Sequence, residues 1–261
     1  MIKQHRIILV LSLCGMTNGF GVQVATATAS STATVASTIL RDYSAPASAL
    51  FNNMRTPAAL IGGALVPLGI LSAPRIEPND TPITKFFKKA NLLLSIASLL
   101  SEVIAITYST VAINKIAELD TVMSEGVAQF IGDYHLLPWL GTNVHFLLGL
   151  FGFGLLAISK PYFLYGRNAG NVVACWATAA MMFCVSIVNK GISMGHGTID
   201  NTGARFSDNL FSLTIKYAHL VWSYAQRGPL AYVACVLLGL SIVPLKSVID
   251  DVLEEQKAKE M

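Results

Sequence analysis

Charged residues are scarce in this 261-residue chain, and their scarcity argues against a soluble fold. Only 13% of the residues are Asp, Glu, Lys or Arg, whereas 53% are hydrophobic. A soluble domain carries roughly 25% charged residues. One aqueous core cannot hide so much apolar surface, so the natural solvent of the chain is a lipid bilayer. The net charge of +3 is too small to indicate binding to nucleic acid, which we do not expect as a partner.

Several signatures of enzymes and metal sites are also missing. The chain has no HxxxH box of the di-iron desaturases, no HExxH zinc helix and no P-loop. Its four cysteines show no CxxC or zinc spacing. We therefore predict a protein that is not an enzyme, with no catalytic residue and no metal site.

Residues 1–19 have the order of a secretory signal peptide. A basic start is followed by the apolar run at residues 7–13 and then by a small-residue end. Thr17 and Gly19 occupy the −3 and −1 positions of a cleavage site before Phe20. The pattern predicts that the chain enters the endomembrane system and is cut at this point.

Residues 20–48 are typical of a transit peptide, rich in Ser, Thr and Ala, with Asp42 as their first acidic residue. A signal peptide joined to such a segment, with Phe20 in TNGFGV directly after the cut, resembles the bipartite presequence of plastid proteins in diatoms and other heterokont algae. The more usual form in that family is ASAFAP. The resemblance covers residues 1–48 and implies a plastid membrane, for which we expect the thylakoid. The alternative is a plain signal peptide leading to the endomembrane system or the plasma membrane.

Five apolar segments follow and predict an all-α, polytopic transmembrane bundle over residues 49–247, before a charged tail at residues 248–261. The last four segments approach the ~20 residues that a helix needs to span a bilayer. The first is short and is interrupted by Pro67 and by glycines. Four spans, with the first segment in the membrane interface, are therefore the alternative topology. The five segments cover about residues 57–73, 91–113, 138–158, 170–188 and 229–245.

Residues 207–226 predict an amphipathic helix that lies in the membrane interface. A narrow polar stripe with spacings of three and four residues runs beside a wide apolar face. The rival interpretation is a sixth span with a polar seam. Lys216 at the centre of this segment argues against a sixth span.

The second apolar segment holds Glu102 near its middle, where a carboxylate is costly. Small and polar residues recur with Glu102 at steps of three and four, which places them along one face of a helix. We call this face the polar seam and predict that it meets another helix or a cavity rather than lipid. Its members are Asn91, Ser95, Ser98, Glu102, Ala105 and Ser109.

The third apolar segment offers a matching surface around His145. Gly141, Gly149 and Gly152 share the face of His145, and small residues there allow two helix backbones to approach closely. If the two segments are antiparallel neighbours, Glu102 and His145 are offset by ~7–8 Å along the axis, at ~1.5 Å per residue. Long side chains and one water molecule can bridge such an offset.

Three interpretations of Glu102 and His145 follow from these patterns. In the structural one, Glu102 joins helices, either protonated or hydrogen-bonded to serines. In the second, His145 or Glu102 ligates the magnesium of a chlorophyll. In the third, the two residues form a proton or ion path.

From the whole sequence we predict a non-enzymatic accessory or assembly subunit of a membrane complex. Its partners would be the lipid bilayer and other membrane-protein subunits. The alternative function is a small ion- or proton-coupled carrier or channel that uses Glu102 and His145.

Overall fold

The computed structural model describes residues 40–118, 122–194, 209–226 and 228–260. Within these ranges the regular secondary structure is helical apart from one short strand pair, Arg41–Asp42 (β1) with Met123–Ser124 (β2). The predicted signal peptide and residues 20–39 of the predicted transit segment lie outside the described residues. The helices are α1 (Ser44–Leu65), α2 (Pro82–Glu118), α3 (Val127–Tyr134), α4 (Leu136–Tyr165), α5 (Arg167–Met194), α6 (Leu210–Ala225) and α7 (Pro229–Glu260).

Five of the described helices are long and apolar enough to cross a membrane, which confirms the predicted all-α bundle. Four of them begin within about nine residues of the predicted segments, but the first begins 13 residues before residue 57. Its early turns contain Asn52, Asn53 and Arg55, which interrupt the apolar run without interrupting the helix. The spans are Ser44–Leu71, Thr84–Glu118, Leu136–Tyr165, Arg167–Lys190 and Pro229–Ser247.

The first span continues past α1 as a π-helical stretch from Val66 to Leu71. Pro67 has no N–H to donate to the preceding turn, and here the helix widens locally instead of ending. The Ser72 hydroxyl then donates to the carbonyls of Pro67 and Leu68, at 2.8 and 2.9 Å. The proline therefore alters the geometry of the first span without shortening it to an interfacial segment.

The core of the bundle is formed by α1, α2 and α4, which contact one another pairwise. In the most apolar stretches of these three spans, 22%, 28% and 39% of the residues are buried, whereas the corresponding stretches of α5 and α7 have none. Gly166, at φ +83°, permits the tight reversal from α4 to α5. The outer two spans therefore pack on the core along narrow contacts and turn most of their surface outward.

The helix α6 lies against α4 and covers only 16 residues. At ~1.5 Å per residue it is about 24 Å long, which is less than the ~30 Å of a bilayer core. Asn209 caps its first turn in a capping box with Ser212. Leu213 is buried against Leu140 and Val144 of α4. Its length disfavours a sixth span, and its placement in the membrane interface stays a prediction.

A separate apolar cluster closes one end of the core, where α1, α2 and α3 meet. Phe51 of α1 is completely buried with Phe130 and Ile131 of α3. The His135 ring, at the junction of α3 and α4, lies 6.4 Å from the Phe51 ring and 5.6 Å from the Phe130 ring. His135 is 4% exposed, and its Nε2 has no hydrogen-bond partner among the described residues.

We expect acid to weaken this cluster through His135. Burial lowers the pKa of the imidazole below its ordinary value of 6.5, so the folded chain holds the ring neutral more strongly than the unfolded chain does. The stability that this contributes is present above pH 6.5 and is lost as the pH falls below it. Thermal unfolding in detergent at about pH 7.5 and about pH 5.5 should show a smaller acid effect for His135→Phe than for wild type. His219→Gln, on the exposed part of α6, is the control, and an equal acid effect in His135→Phe would contradict this assignment.

Candidate functional site

The polar seam of α2 lies where α2 meets α1 and α4. All six of its residues are between 0% and 3% exposed, and Glu102 is at 0%. The opposite face of α2 points outward, with Leu100 at 55% and Val103 at 48% exposed. The helix therefore buries its polar side inside the bundle and presents its apolar side to the surroundings, as expected for a helix in lipid.

The seam serines satisfy their hydroxyl groups within their own helix. Ser95, Ser98 and Ser109 each donate to the backbone carbonyl four residues earlier, at 2.7, 2.7 and 2.9 Å. The Ser109 hydroxyl also lies 3.4 Å from the hydroxyl of Thr142 on α4. None of these serines donates to Glu102. The contacts therefore do not support the hypothesis that serines hold the carboxyl group by hydrogen bonds.

Three of the glycines of α4 each accommodate one side chain of α2. A Cβ atom at Gly149 would lie 2.5 Å from Cδ of Glu102, and a Cβ atom at Gly152 would lie 2.7 Å from Cβ of Ser98. At Gly141, an added Cβ would lie 2.6 Å from the ring of Tyr108. Distances below 3.0 Å leave no room for a methyl group, so glycine at these positions is what lets α2 and α4 approach.

Sequence reasoning missed the second side of this contact, on the first span, which consists of α1 and the π-helical stretch after it. A Cβ atom at Gly62 would lie 3.4 Å from Cβ of Glu102, and one at Gly69 would lie 2.6 Å from Cβ of Ser95. Ala58, four residues before Gly62, is also completely buried. The sequence shows the spacing of these small residues, but Pro67 and the glycines also predict an interrupted segment, and that interpretation hid the packing surface.

Glu102 is enclosed by small and aliphatic groups. Its carboxyl group occupies the space above Gly149, and Leu99 of its own helix lies beside Gly62. Neither carboxyl oxygen has a hydrogen-bond partner among the described residues. An unpaired carboxylate is costly in such surroundings. The arrangement is that of a side chain packed into a helix contact.

His145 belongs to a different cluster, which joins α4 to α2 and α6. Its Nε2 lies 2.9 Å from the hydroxyl of Tyr217, and that hydroxyl donates to the hydroxyl of Tyr108 at 3.4 Å. The contact between Nε2 and the Tyr217 hydroxyl is the shorter of the two, and which of its atoms donates is set by the tautomer of the imidazole. Nδ1 is buried and has no hydrogen-bond partner among the described residues.

The two candidate residues are thus held by different neighbours. Glu102 faces Gly149 of α4. His145, which precedes Gly149 by four residues, faces Tyr108 and Tyr217 instead. No contact between Glu102 and His145 is found in the part of the chain that the structure describes. A tyrosine on the inner face of a packed helix needs a hydrogen-bond partner for its hydroxyl. Tyr217 is such a residue, but the prediction from the sequence rested only on the polar stripe of α6.

One motif typical of hydrolases does occur, as GISMG at residues 191–195. In a nucleophile elbow, GxSxG forms a sharp turn from a strand to a helix. Here its first four residues are the end of α5, which is helical from Arg167, and Gly195 lies outside the described residues. The structural context of a nucleophile elbow is therefore not met by the described residues.

We expect Gly149→Ala to destabilise the bundle by about 1–3 kcal/mol, because the added methyl group overlaps a carboxyl group that is buried on every side. Gly63→Ala is the matched control, since a Cβ atom there would meet nothing within 4 Å. Thermal unfolding in detergent measures both. In Gly149→Ala with Glu102→Ala, the loss should be smaller than the sum of the single losses. Additive losses would show that the contact between the two side chains is not the cause.

Comparisons with known proteins supply no relative on which to base the chemistry of the site. No family model, no curated protein and no solved structure matches this chain.

Proposed function

We propose that this polytopic helical membrane protein is a non-enzymatic accessory or assembly subunit of a membrane complex. The polar seam supports a structural role for Glu102, because its side chain fills the contact between α2 and the glycines of α1 and α4. The proposal itself is carried by the outer surface of α5.

The span α5 presents small residues outward instead of burying them. Cys175, Thr178 and Ala179 are exposed, and Cys175 and Ala179 are four residues apart on one face. Small residues at this spacing are typical of helix–helix contacts in membranes, because they let a second helix approach. No residue in the apolar stretch of α5 is buried within the described chain. A helix of another subunit fits this surface better than lipid alone.

We expect the native complex to be lost when this surface is made bulky. Ala179→Phe should leave the thermal stability of the isolated protein unchanged, because Ala179 is exposed, and should shift the protein from a large assembly to a smaller one. Leu100→Phe is the control, since Leu100 of α2 is already large and is 55% exposed. Native electrophoresis after mild detergent extraction from the source membrane measures the assembly. Migration of the wild-type protein alone would overturn the proposal.

The second candidate function is a proton- or ion-coupled carrier that uses Glu102 and His145. The observation that favours it is a completely buried carboxyl group, in the middle of a span, with no hydrogen-bond partner among the described residues. The separate surroundings of the two side chains weigh against a direct relay between them. The path would need a rearrangement of α2 relative to α4.

Glu102→Gln distinguishes the two functions. Gln keeps the size of the side chain but cannot release a proton. The subunit proposal predicts an unchanged native assembly and a change in stability of about 1 kcal/mol or less. A carrier predicts that proton uptake by protein-containing liposomes, read with a pH-sensitive dye, disappears in Glu102→Gln and remains in Ser98→Ala.

Chlorophyll binding is a weaker variant of the subunit proposal. The Nε2 atom of His145 is engaged by Tyr217, so ligation of magnesium through this atom requires that hydrogen bond to break. The absorption spectrum of the purified wild-type protein and of His145→Leu tests the point. A colourless wild-type protein would end the pigment hypothesis.

For the location we propose a plastid membrane, and within the plastid the thylakoid. The support is the order of residues 1–48, with a signal peptide, Phe20 at the cleavage site and a Ser/Thr/Ala-rich segment. Microscopy of the full chain with a fluorescent tag at its C-terminus tests this, and a signal confined to the endomembrane system or the plasma membrane would contradict it.

A further inference from the structure

A large cavity lies beside the core, between α2, α4 and α7. Its volume is about 1160 Å³, which exceeds the ~300–1,000 Å³ of most small-molecule pockets. Along α2 its lining runs from Thr84 to Ala97, about 20 Å at ~1.5 Å per residue. Neither Glu102 nor His145 lines it, and of the six residues of the polar seam only Asn91 does.

The cavity has a polar end and an apolar body. Glu77, Asp80 and Lys88 lie at the end where α2 begins. Further along α2, the walls are formed by apolar side chains of α2 and α4, such as Leu94, Ala97 and Leu155. This division along the helix axis matches an amphiphile that lies parallel to α2.

The cavity opens sideways from the bundle. Several of its lining residues are also exposed on the outer surface: Phe87 at 52%, Leu93 at 44%, Leu155 at 47% and Leu245 at 48%. All four belong to spans, so the opening faces the hydrocarbon of the bilayer. A molecule that enters here comes from the membrane, which selects a lipid over a water-soluble ligand.

Asn91 supplies a polar contact inside the cavity. Its Nδ2 donates to the Ser159 hydroxyl at 2.6 Å, and that hydroxyl uses its only hydrogen on the carbonyl of Leu156, at 3.1 Å. With the amide reversed, the Ser159 hydroxyl would donate to Oδ1 and Nδ2 would lack a partner instead, so either orientation leaves one polar atom of Asn91 for a ligand hydroxyl, which can donate or accept. Asn91 is 2% exposed, and its Oδ1 accepts no hydrogen bond from any described residue. A buried acceptor of this kind requires a donor.

The charges at the polar end indicate which head group fits. Lys88 donates to Asp80 at 2.7 Å and to the carbonyl of Arg75 at 2.8 Å. Glu77 is the remaining charged group that lines the cavity. The one cation that lines the cavity, Lys88, is already paired with Asp80, so the lining leaves no unpaired cation for an anionic head group. A hydroxyl group donates to Asn91 without the cost of burying an ammonium group.

We propose that the cavity binds one uncharged membrane lipid whose head group carries hydroxyl groups, with a hydroxyl donating to Oδ1 of Asn91 and the acyl chains along the apolar walls. The lipid enters sideways between α2, α4 and α7. Because α7 contributes Leu245 to the lining, the bound lipid also fills part of the contact between α7 and the core. This site does not depend on the proposed function of the chain.

The test uses the full chain in nanodiscs of phosphatidylcholine that contain either a monoglucosyl diacylglycerol or phosphatidylglycerol. After exchange into detergent, native mass spectrometry counts the lipids that stay bound. We expect one monoglucosyl diacylglycerol per chain, retained in preference to phosphatidylglycerol. Asn91→Leu should bind this lipid about fivefold more weakly, the effect of one lost hydrogen bond. Asn114→Leu, on the exposed side of α2 near its other end, should bind as wild type does.

Ala97→Phe provides a second test that does not depend on Asn91. Its ring fills part of the cavity from an exposed position, so the fold should persist while retention of lipid is lost. Equal retention of phosphatidylglycerol, retention of no lipid by the wild-type chain, a co-purified peptide in place of lipid, or unchanged retention in Ala97→Phe would each overturn the proposal.

Discussion

The fit of α2 side chains onto glycines of α1 and α4 is the contact on which the rest of the bundle depends. In lipid, burying apolar surface gives no driving force for two helices to associate, so close packing has to supply it. Gly149 and Gly152 permit that packing on α4, and Gly62 and Gly69 permit it on the first span. The serine hydroxyls of α2 contribute by donating to carbonyls of their own helix. They therefore need no hydrogen-bond acceptor on α1 or α4, and their side chains leave a narrow surface for packing.

The helix α4 connects this contact to the other parts of the molecule. Its glycine face receives α2, its middle holds α6 through His145 and Tyr217, and its last turns carry Ser159 at the wall of the lipid cavity. It is the most buried of the five spans. The outer spans α5 and α7 have the reverse character, with apolar stretches that are open to lipid or to a partner.

The sequence predicted the parts of this structure that follow helical periodicity. Glu102 and its seam recur at steps of three and four, and the glycines around His145 follow the same rule, so the two faces were recognised without coordinates. The beginning of α1 was missed because Asn52 and Arg55 interrupt the apolar run. Ala47 and Phe51, which precede them in the chain, nevertheless anchor that helix in the core. The pairing of His145 with Tyr217 was not predictable, because it joins residues 72 positions apart and depends on how α6 packs.

The position of Glu102 on the second span also constrains how the protein is made. Gly149 follows Glu102 by 47 residues in the chain, so at ~5–20 residues per second the ribosome completes α2 several seconds before it completes the surface that receives the glutamate. During that interval α1 alone is present, and its Gly62 covers only one side of the side chain. A carboxyl group half enclosed in this way is poorly suited to release into lipid. We therefore expect the first three spans to leave the insertion machinery as one unit, with α2 retained there until α4 arrives.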